Sequence, residues 1–179
     1  MIDWITVCSA NVSKRVAGDI KPNSIVSILG KNCMSATGRR WHWDSMSRRT
    51  SKLLPLEFDD IDNEWEVGIG RGAPLILPQR LHIQRIIRFA QETEGTMLLH
   101  CWAGISRSGA AAVISAVARG HPFEEATDLI PQFSLSPNPR MIQLADDELE
   151  LGGLLVDAVN LAEHRAYGSS IYRSSYDRR

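Results

Sequence analysis

Cys101 and Arg107, with five residues between them in His100-Cys101-Trp102-Ala103-Gly104-Ile105-Ser106-Arg107-Ser108, have the types and spacing to hold a tetrahedral oxyanion and attack it. A loop that runs into a helix N-terminus turns successive backbone N–H groups inward, and the helix dipole adds partial positive charge, so a phosphate dianion is stabilised there. The same field favours a thiolate on Cys101, which makes it a nucleophile near neutral pH. Arg107 supplies a planar, two-pronged donor for two phosphoryl oxygens, which a lysine ammonium does not replace. The amides of Trp102, Ala103, Gly104, Ile105, Ser106 and Arg107 would line the cradle, and Gly104 lets the backbone bend with its amide facing the anion. The Ser108 hydroxyl can donate to sulfur and ease departure of the thiolate.

This segment resembles the His-Cys-(x)5-Arg-Ser/Thr signature of the cysteine-dependent protein tyrosine phosphatases, and its Ser106-Arg107-Ser108 ending is similar to the dual-specificity branch. The resemblance implies a phosphocysteine intermediate on Cys101 and a proton donor for the leaving oxygen, supplied by an aspartate on an upstream loop. Asp59, Asp60 and Asp62 are the candidates. Asp60 is preferred because Phe58 and Ile61 bracket it as anchors, although the Trp-Pro-Asp loop of the tyrosine-specific branch is missing here. Pro137-Asn138-Pro139-Arg140-Met141-Ile142-Gln143-Leu144 resembles, one residue short, a helix start that follows the signature in dual-specificity enzymes. Asn138 is expected to brace the signature loop, to cap the helix beginning at Pro139, or both. His100 is expected to orient the loop through hydrogen bonds to backbone carbonyls and not to act as a base.

These residues need a strand that delivers Cys101 and a helix that begins at the arginine. Thr96-Met97-Leu98-Leu99, after a turn at Glu94-Gly95, reads as the buried strand, and Ser108 to Ala118 as an alanine-rich helix stopped by Gly120 and Pro122. Trp4 to Cys8 and Ser24 to Leu29 read as further strands, and Leu53 to Phe58, broken at Pro55, as an edge strand. Pro78 opens an amphipathic helix whose stripe is Leu81, Ile83, Ile86, Ile87, Phe89 and Ala90. Helices are also expected over Phe123 to Phe133, Arg140 to Leu151 and Leu154 to His164. The pattern predicts an α/β fold, a three-layer-like sandwich with a mostly parallel central sheet flanked by helices. A single domain over 1–166 is expected, with a loosely ordered tail over 167–179, rich in Ser, Tyr and Arg.

Composition narrows the function. The chain has 179 residues, 44% of them hydrophobic, and a formal net charge of −1, so nothing global marks it for nucleic acid or a membrane. No stretch has membrane-spanning length, and the N-terminus lacks the pattern of a signal peptide. Three widely spaced cysteines argue against a disulfide framework and for a reducing, cytoplasmic location; Cys8 and Cys33 read as core or near-core residues in preference to resolving thiols. His42, His82, His121 and His164 show no metal-ligand spacing, and neither metal nor cofactor is expected. Gly38-Arg39-Arg40-Trp41-His42-Trp43, with Arg48, Arg49 and Lys52, is the one basic and aromatic concentration. It reads as a solvated loop in preference to a rim for phosphorylated substrates or single-stranded RNA.

The expected activity is therefore hydrolysis of phosphomonoesters on phosphorylated proteins or peptides, with phosphate, sulfate or vanadate also fitting the signature loop. The alternatives are an RNA 5′-triphosphatase or phosphoinositide phosphatase with the same mechanism, or a phosphate-binding module without turnover. Ala103 and Ile105 place no positive charge inside the loop, which disfavours highly anionic inositol phosphates. The spacing also argues against rhodanese-type sulfur transfer.

Overall fold

Residues Ile5–Ser9 (β1), Ser24–Ile28 (β2), Lys52–Leu56 (β3) and Met97–Cys101 (β4) form one parallel sheet of order β1-β4-β2-β3. A computed structural model describes residues 2–31, 33–64, 67 and 74–168. The two central strands, β2 and β4, are buried at every position. That explains why they read as unbroken apolar or small-residue runs and not as alternating ones. Pro55 falls on β3, at the edge, where a missing N–H costs no ladder bond on the open side.

Helices cover both faces: Ala10–Ile20 (α1), Ala36–Ser47 (α2), Arg80–Glu92 (α3), Arg107–Ala118 (α4), Phe123–Thr127 (α5), Leu129–Phe133 (α6), Pro139–Glu148 (α7) and Leu154–Tyr167 (α8). Strand periodicity sorts them. Val7, Val26, Ile28, Leu54, Leu56, Met97, Leu99 and Cys101 pack with residues of α3 to α8, while Ile25 and Leu98 face Ala17 of α1 and Met46 of α2. The three expected layers are present, and the sheet is parallel throughout. Among the described residues, α4 is the central helix and is buried from Arg107 to Ala116. Its run of Gly109-Ala110-Ala111-Ala112 is what allows this, since even one methyl on Gly109 would come within 3.1 Å of Leu135.

Three expectations are corrected. Residues 36–47, read as part of a solvated basic loop, form α2, because Ser35 caps the helix by accepting from Gly38 N at 3.2 Å and its buried face is Arg39, His42, Ser45 and Met46. The basic groups there are largely consumed. Arg39 pairs with Glu57 at 2.7 Å, Arg49 donates to the Lys14 and Ser45 carbonyls, Lys52 donates to the Glu92 carbonyl, and Trp43 Nε1 donates to Ser27 Oγ. The helix expected over Phe123 to Phe133 divides at Asp128 into α5 and α6. Tyr167, assigned to the tail, ends α8, and its hydroxyl donates to the Leu135 carbonyl at 2.8 Å. Gly168 caps α8, and residues 169–179 lie outside the described residues. No described helix is long and apolar enough to cross a membrane.

Candidate active site

Cys101 is the last residue of β4 and Arg107 the first of α4, so the loop between them closes at the carboxyl end of the sheet, over the N-terminus of a buried helix. The loop is tightly held. Gly104 has φ +79°, and a β-carbon there would stand 2.5 Å from the Cys8 carbonyl carbon and the Ser9 nitrogen, so no other residue fits against β1. Ala10 N donates to the Trp102 carbonyl at 3.2 Å, and Asn138 N donates to the Ser106 carbonyl at 3.2 Å.

The Cys101 side chain is fully buried, while Trp102 and Ile105 are exposed. Gly104 N donates to Cys101 Sγ at 3.2 Å, and Ser108 Oγ lies 3.2 Å from the same sulfur. One backbone amide from the middle of the loop and one hydroxyl from the first turn of α4 thus converge on the sulfur, an arrangement that favours negative charge there. Arg107 is also buried. Its Nη1 donates to the Phe58 carbonyl at 2.8 Å, its Nη2 to Cys33 Sγ at 3.4 Å, and its Nε, 3.7 Å from Asp60 Oδ2, makes no hydrogen bond. Burial works against its charge, but Asp60, Cys101 and Cys33 together outweigh burial and hold the guanidinium more firmly protonated than usual.

The three aspartates separate. Asp60, one-third exposed, accepts from Ser106 Oγ at 2.7 Å and from Asn138 Nδ2 at 3.0 Å, which sets its carboxylate beside the signature loop. Asp59 is buried and stitches the segment to the chain ahead of α3: its N–H donates to the Ile76 carbonyl at 2.7 Å and its Oδ2 accepts from Ile76 N at 2.9 Å. Asp62 accepts from its neighbour Asn63. Asn138 Oδ1 caps α7 by accepting from Met141 N at 3.1 Å, its backbone N–H reaches the loop at Ser106, and its side-chain amide donates to Asp60 and not to the loop.

His100 departs from expectation. Its Nε2 faces His42 Nε2 of α2 at 3.4 Å, and its Nδ1 completes no hydrogen bond, so side-chain bonds to loop carbonyls do not hold the ring. Burial pushes its pKa down to about 3, with His42 adding to the effect, and burial likewise pushes His42 down to about 4. Cys8 is pushed up to about 12, first by burial and then by Cys101, so it remains a thiol. Cys33 is half-buried and touches the guanidinium. It sits in a loop with no periodicity, and no sequence signal marks it. The described residues hold no group of three metal-ligating side chains.

No family model and no curated protein sequence matches the chain. Solved structures do match its fold. It is similar to DUSP15 with 16% identity over 94% of this chain and 96% of that one, at a TM-score of 0.55. It is similar to the human tyrosine phosphatase-like serine/threonine/tyrosine-interacting protein with 13% identity over 84% and 94%, at 0.56. PTPMT1 in complex with PI(5)P matches with 14% identity over 92% and 99%, at 0.51. The fold is that of the tyrosine and dual-specificity phosphatases.

Proposed function

We propose that this chain, with the fold of the cysteine-dependent phosphatases, is a phosphomonoesterase that works through a phosphocysteine on Cys101. The observation that carries the reading is the convergence of two chain segments: the signature stretch, with Cys101 Sγ under Gly104 N and Ser108 Oγ and a buried Arg107 Nε–H that makes no hydrogen bond, and the segment after β3, with Asp60 held at 3.7 Å from that nitrogen. A phosphoryl group bound in the loop would accept from the loop amides and from Arg107 Nε, and the sulfur would attack phosphorus in line with the leaving oxygen. Asp60, at the exposed side, would give its proton to that oxygen. Water activated by the same carboxylate would then cleave the phosphocysteine, with Ser108 donating to the departing thiolate.

The rim favours phosphorylated protein or peptide as substrate. Trp102 and Ile105 are 42% and 44% exposed, and positions 102–106 carry no cation, so an aromatic phosphoester gains apolar contact where a polyphosphorylated inositol headgroup would find no added charge. A reactive thiolate needs a reducing compartment, and we place the protein in the cytoplasm on that ground. The test is phosphate release from an aryl phosphate between about pH 5 and about pH 8, under reducing conditions, for the wild type, C101S and R107A. Activity abolished in both variants supports the reading. A wild type that binds phosphopeptide without releasing phosphate would make the chain a binding module, and release from PI(5)P but not from phosphopeptide would move the substrate to lipid.

A further inference from the structure

The net charge of −1 conceals a segregation. Residues 10–52, which carry α1, β2 and α2, hold nine Lys and Arg against two Asp, whereas residues 121–168, which carry α5 to α8, hold nine Asp and Glu against two Arg. α1 and α2 pack on one face of the sheet and α5 to α8 on the other, so the molecule is basic on one side and acidic on the opposite side. Surface charges that serve solubility alone intersperse the two signs; segregated charge makes a field that steers and holds a partner of opposite sign.

The basic side has a centre. Lys14 of α1 places its ammonium 3.4 Å from the centre of the exposed Trp41 ring of α2. Burial lowers the Lys14 pKa, and Arg49 and Arg48 stand near enough to lower it further. Asp19 and Asp44 are the two acids of the stretch, and among the described residues neither forms an ion pair with a cation. Arg39 is neutralised by Glu57, but Arg49 gives its N–H groups to carbonyls, and a neutral acceptor leaves the charge in place. Arg40 and Arg48 are exposed and without an ion-pair partner. Next to Trp41, a groove of about 670 Å³ opens between α2 and β3, walled by Arg40 and lined by Trp43, Leu53 and Pro55.

We propose that the α1/α2 face is a docking surface for an acidic stretch of the protein substrate, held by Lys14, Arg40, Arg48 and Trp41. The proposal deepens the phosphoprotein reading above and rests on it. The face adjoins the signature loop, since Ala10 N, at the start of α1, donates to the Trp102 carbonyl. Lys14 lies one turn further, about 6 Å along the helix axis, and an extended chain advances about 3.3 Å per residue, so acidic residues within about four positions of the phosphorylated side chain reach it. The surface also selects among polyanions. A membrane-bound helix needs a layer of apolar side chains, and on α1 and α2 the exposed large ones are Ile20 and Trp41 alone. Single-stranded nucleic acid needs open aromatic faces in series, whereas Trp41 is one ring with Lys14 against it. An acidic peptide needs cations for its carboxylates and a partly apolar groove for the side chains between them, and both are present.

The experiment compares two phosphotyrosine peptides that differ only in carrying Glu or Gln at the flanking positions, on the full-length wild type and R40E/R48E, at about 50 mM and about 300 mM salt. In the wild type at low salt, kcat/KM should be about tenfold higher for the Glu peptide, through KM, and the advantage should shrink to about twofold at high salt. R40E/R48E should lose the advantage yet keep the wild-type rate on an aryl phosphate, which does not extend to this face. Fluorescence anisotropy of a labelled, unphosphorylated Glu peptide should show the same order of binding without turnover. Equal kcat/KM for the two peptides in the wild type overturns the proposal, and so does an advantage that R40E/R48E retains. Single-stranded RNA or phosphatidylserine vesicles binding more tightly than the Glu peptide at the same salt would overturn it as well. If R40E/R48E does not fold, the wild-type comparison and its salt dependence decide. If neither protein releases phosphate, the phosphatase reading fails, while the docking surface stands or falls on the anisotropy.

Discussion

Arg107 shows how narrow the chemical margin is at the level of one side chain. Each terminal nitrogen already gives one N–H to the protein, Nη1 to the Phe58 carbonyl and Nη2 to Cys33 Sγ, so an incoming oxygen meets Nε–H and the second N–H of each terminal nitrogen. Asp60 stands at the other side of Nε. Replacing Asp60 with Asn keeps a group that fits beside Ser106 and Asn138 but removes the transferable proton. Turnover of a phenyl phosphate, whose leaving oxygen needs that proton, should fall about 100-fold, while a nitrophenyl phosphate should lose only a few-fold. Comparing the two rates in one D60N preparation checks this, and equal losses would take Asp60 out of the role. The cradle was legible because Cys101 to Ser108 lie on one contiguous stretch whose spacing is its geometry. His42 and Cys33 were not, since each reaches the site from another element and nothing local distinguishes a histidine or a thiol that does so.

At the level of elements, the strands and the apolar helices could be read from pattern, but α1 and α2 could not. Their buried positions include Ser13, Arg39, His42 and Ser45, which a search for apolar periodicity passes over. Helical spacing was present, carried by polar residues that find partners only in the fold: Arg39 donates to the Met34 carbonyl and to Glu57, tying the loop after β2 to the segment that leads to Asp60. Two glycines bear on these elements in opposite ways. Gly18, inside α1, has open space where a side chain would go, so G18A should stabilise by about 0.5–1 kcal/mol through helix propensity, seen as a raised melting temperature with unchanged activity. Gly30, after β2, lies so close to Asp59 that a methyl would overlap its carboxylate. G30A should push the Phe58 to Asp60 segment away from Arg107 and lower kcat/KM at least about tenfold, with a loss of stability on the order of 1–3 kcal/mol. Activity as in the wild type would mean that this approach does not set the position of Asp60.

For the whole molecule, an α/β sandwich with a parallel sheet followed from strands interleaved with helices, whereas the order β1-β4-β2-β3 depends on crossovers that no local signal encodes. That order places β4, with His100 and Cys101, in the middle of the sheet, so the histidine between the two helical layers is sealed from water and makes global stability depend on pH. His100 is held at about 3 and His42 at about 4, below the ordinary 6.5, and burial lowers His82 as well. The unfolded chain therefore binds protons that the folded chain refuses. Stability from this source is complete above about pH 7 and is lost as pH falls through 6.5 toward about 4, by up to about 1.4 kcal/mol per pH unit for each such histidine. Carboxylates held low in the folded state, such as Glu148 beside Arg80, cost stability only below their ordinary 4.5, so acid loss between about pH 6.5 and about pH 5 belongs to the histidines. Melting temperature should be flat between about pH 7 and about pH 8 and decline below 6.5, and H42Q should decline less steeply because one of the refusing groups is gone. Identical slopes for wild type and H42Q would show that His42 takes up its proton as readily in the folded protein as in the unfolded chain.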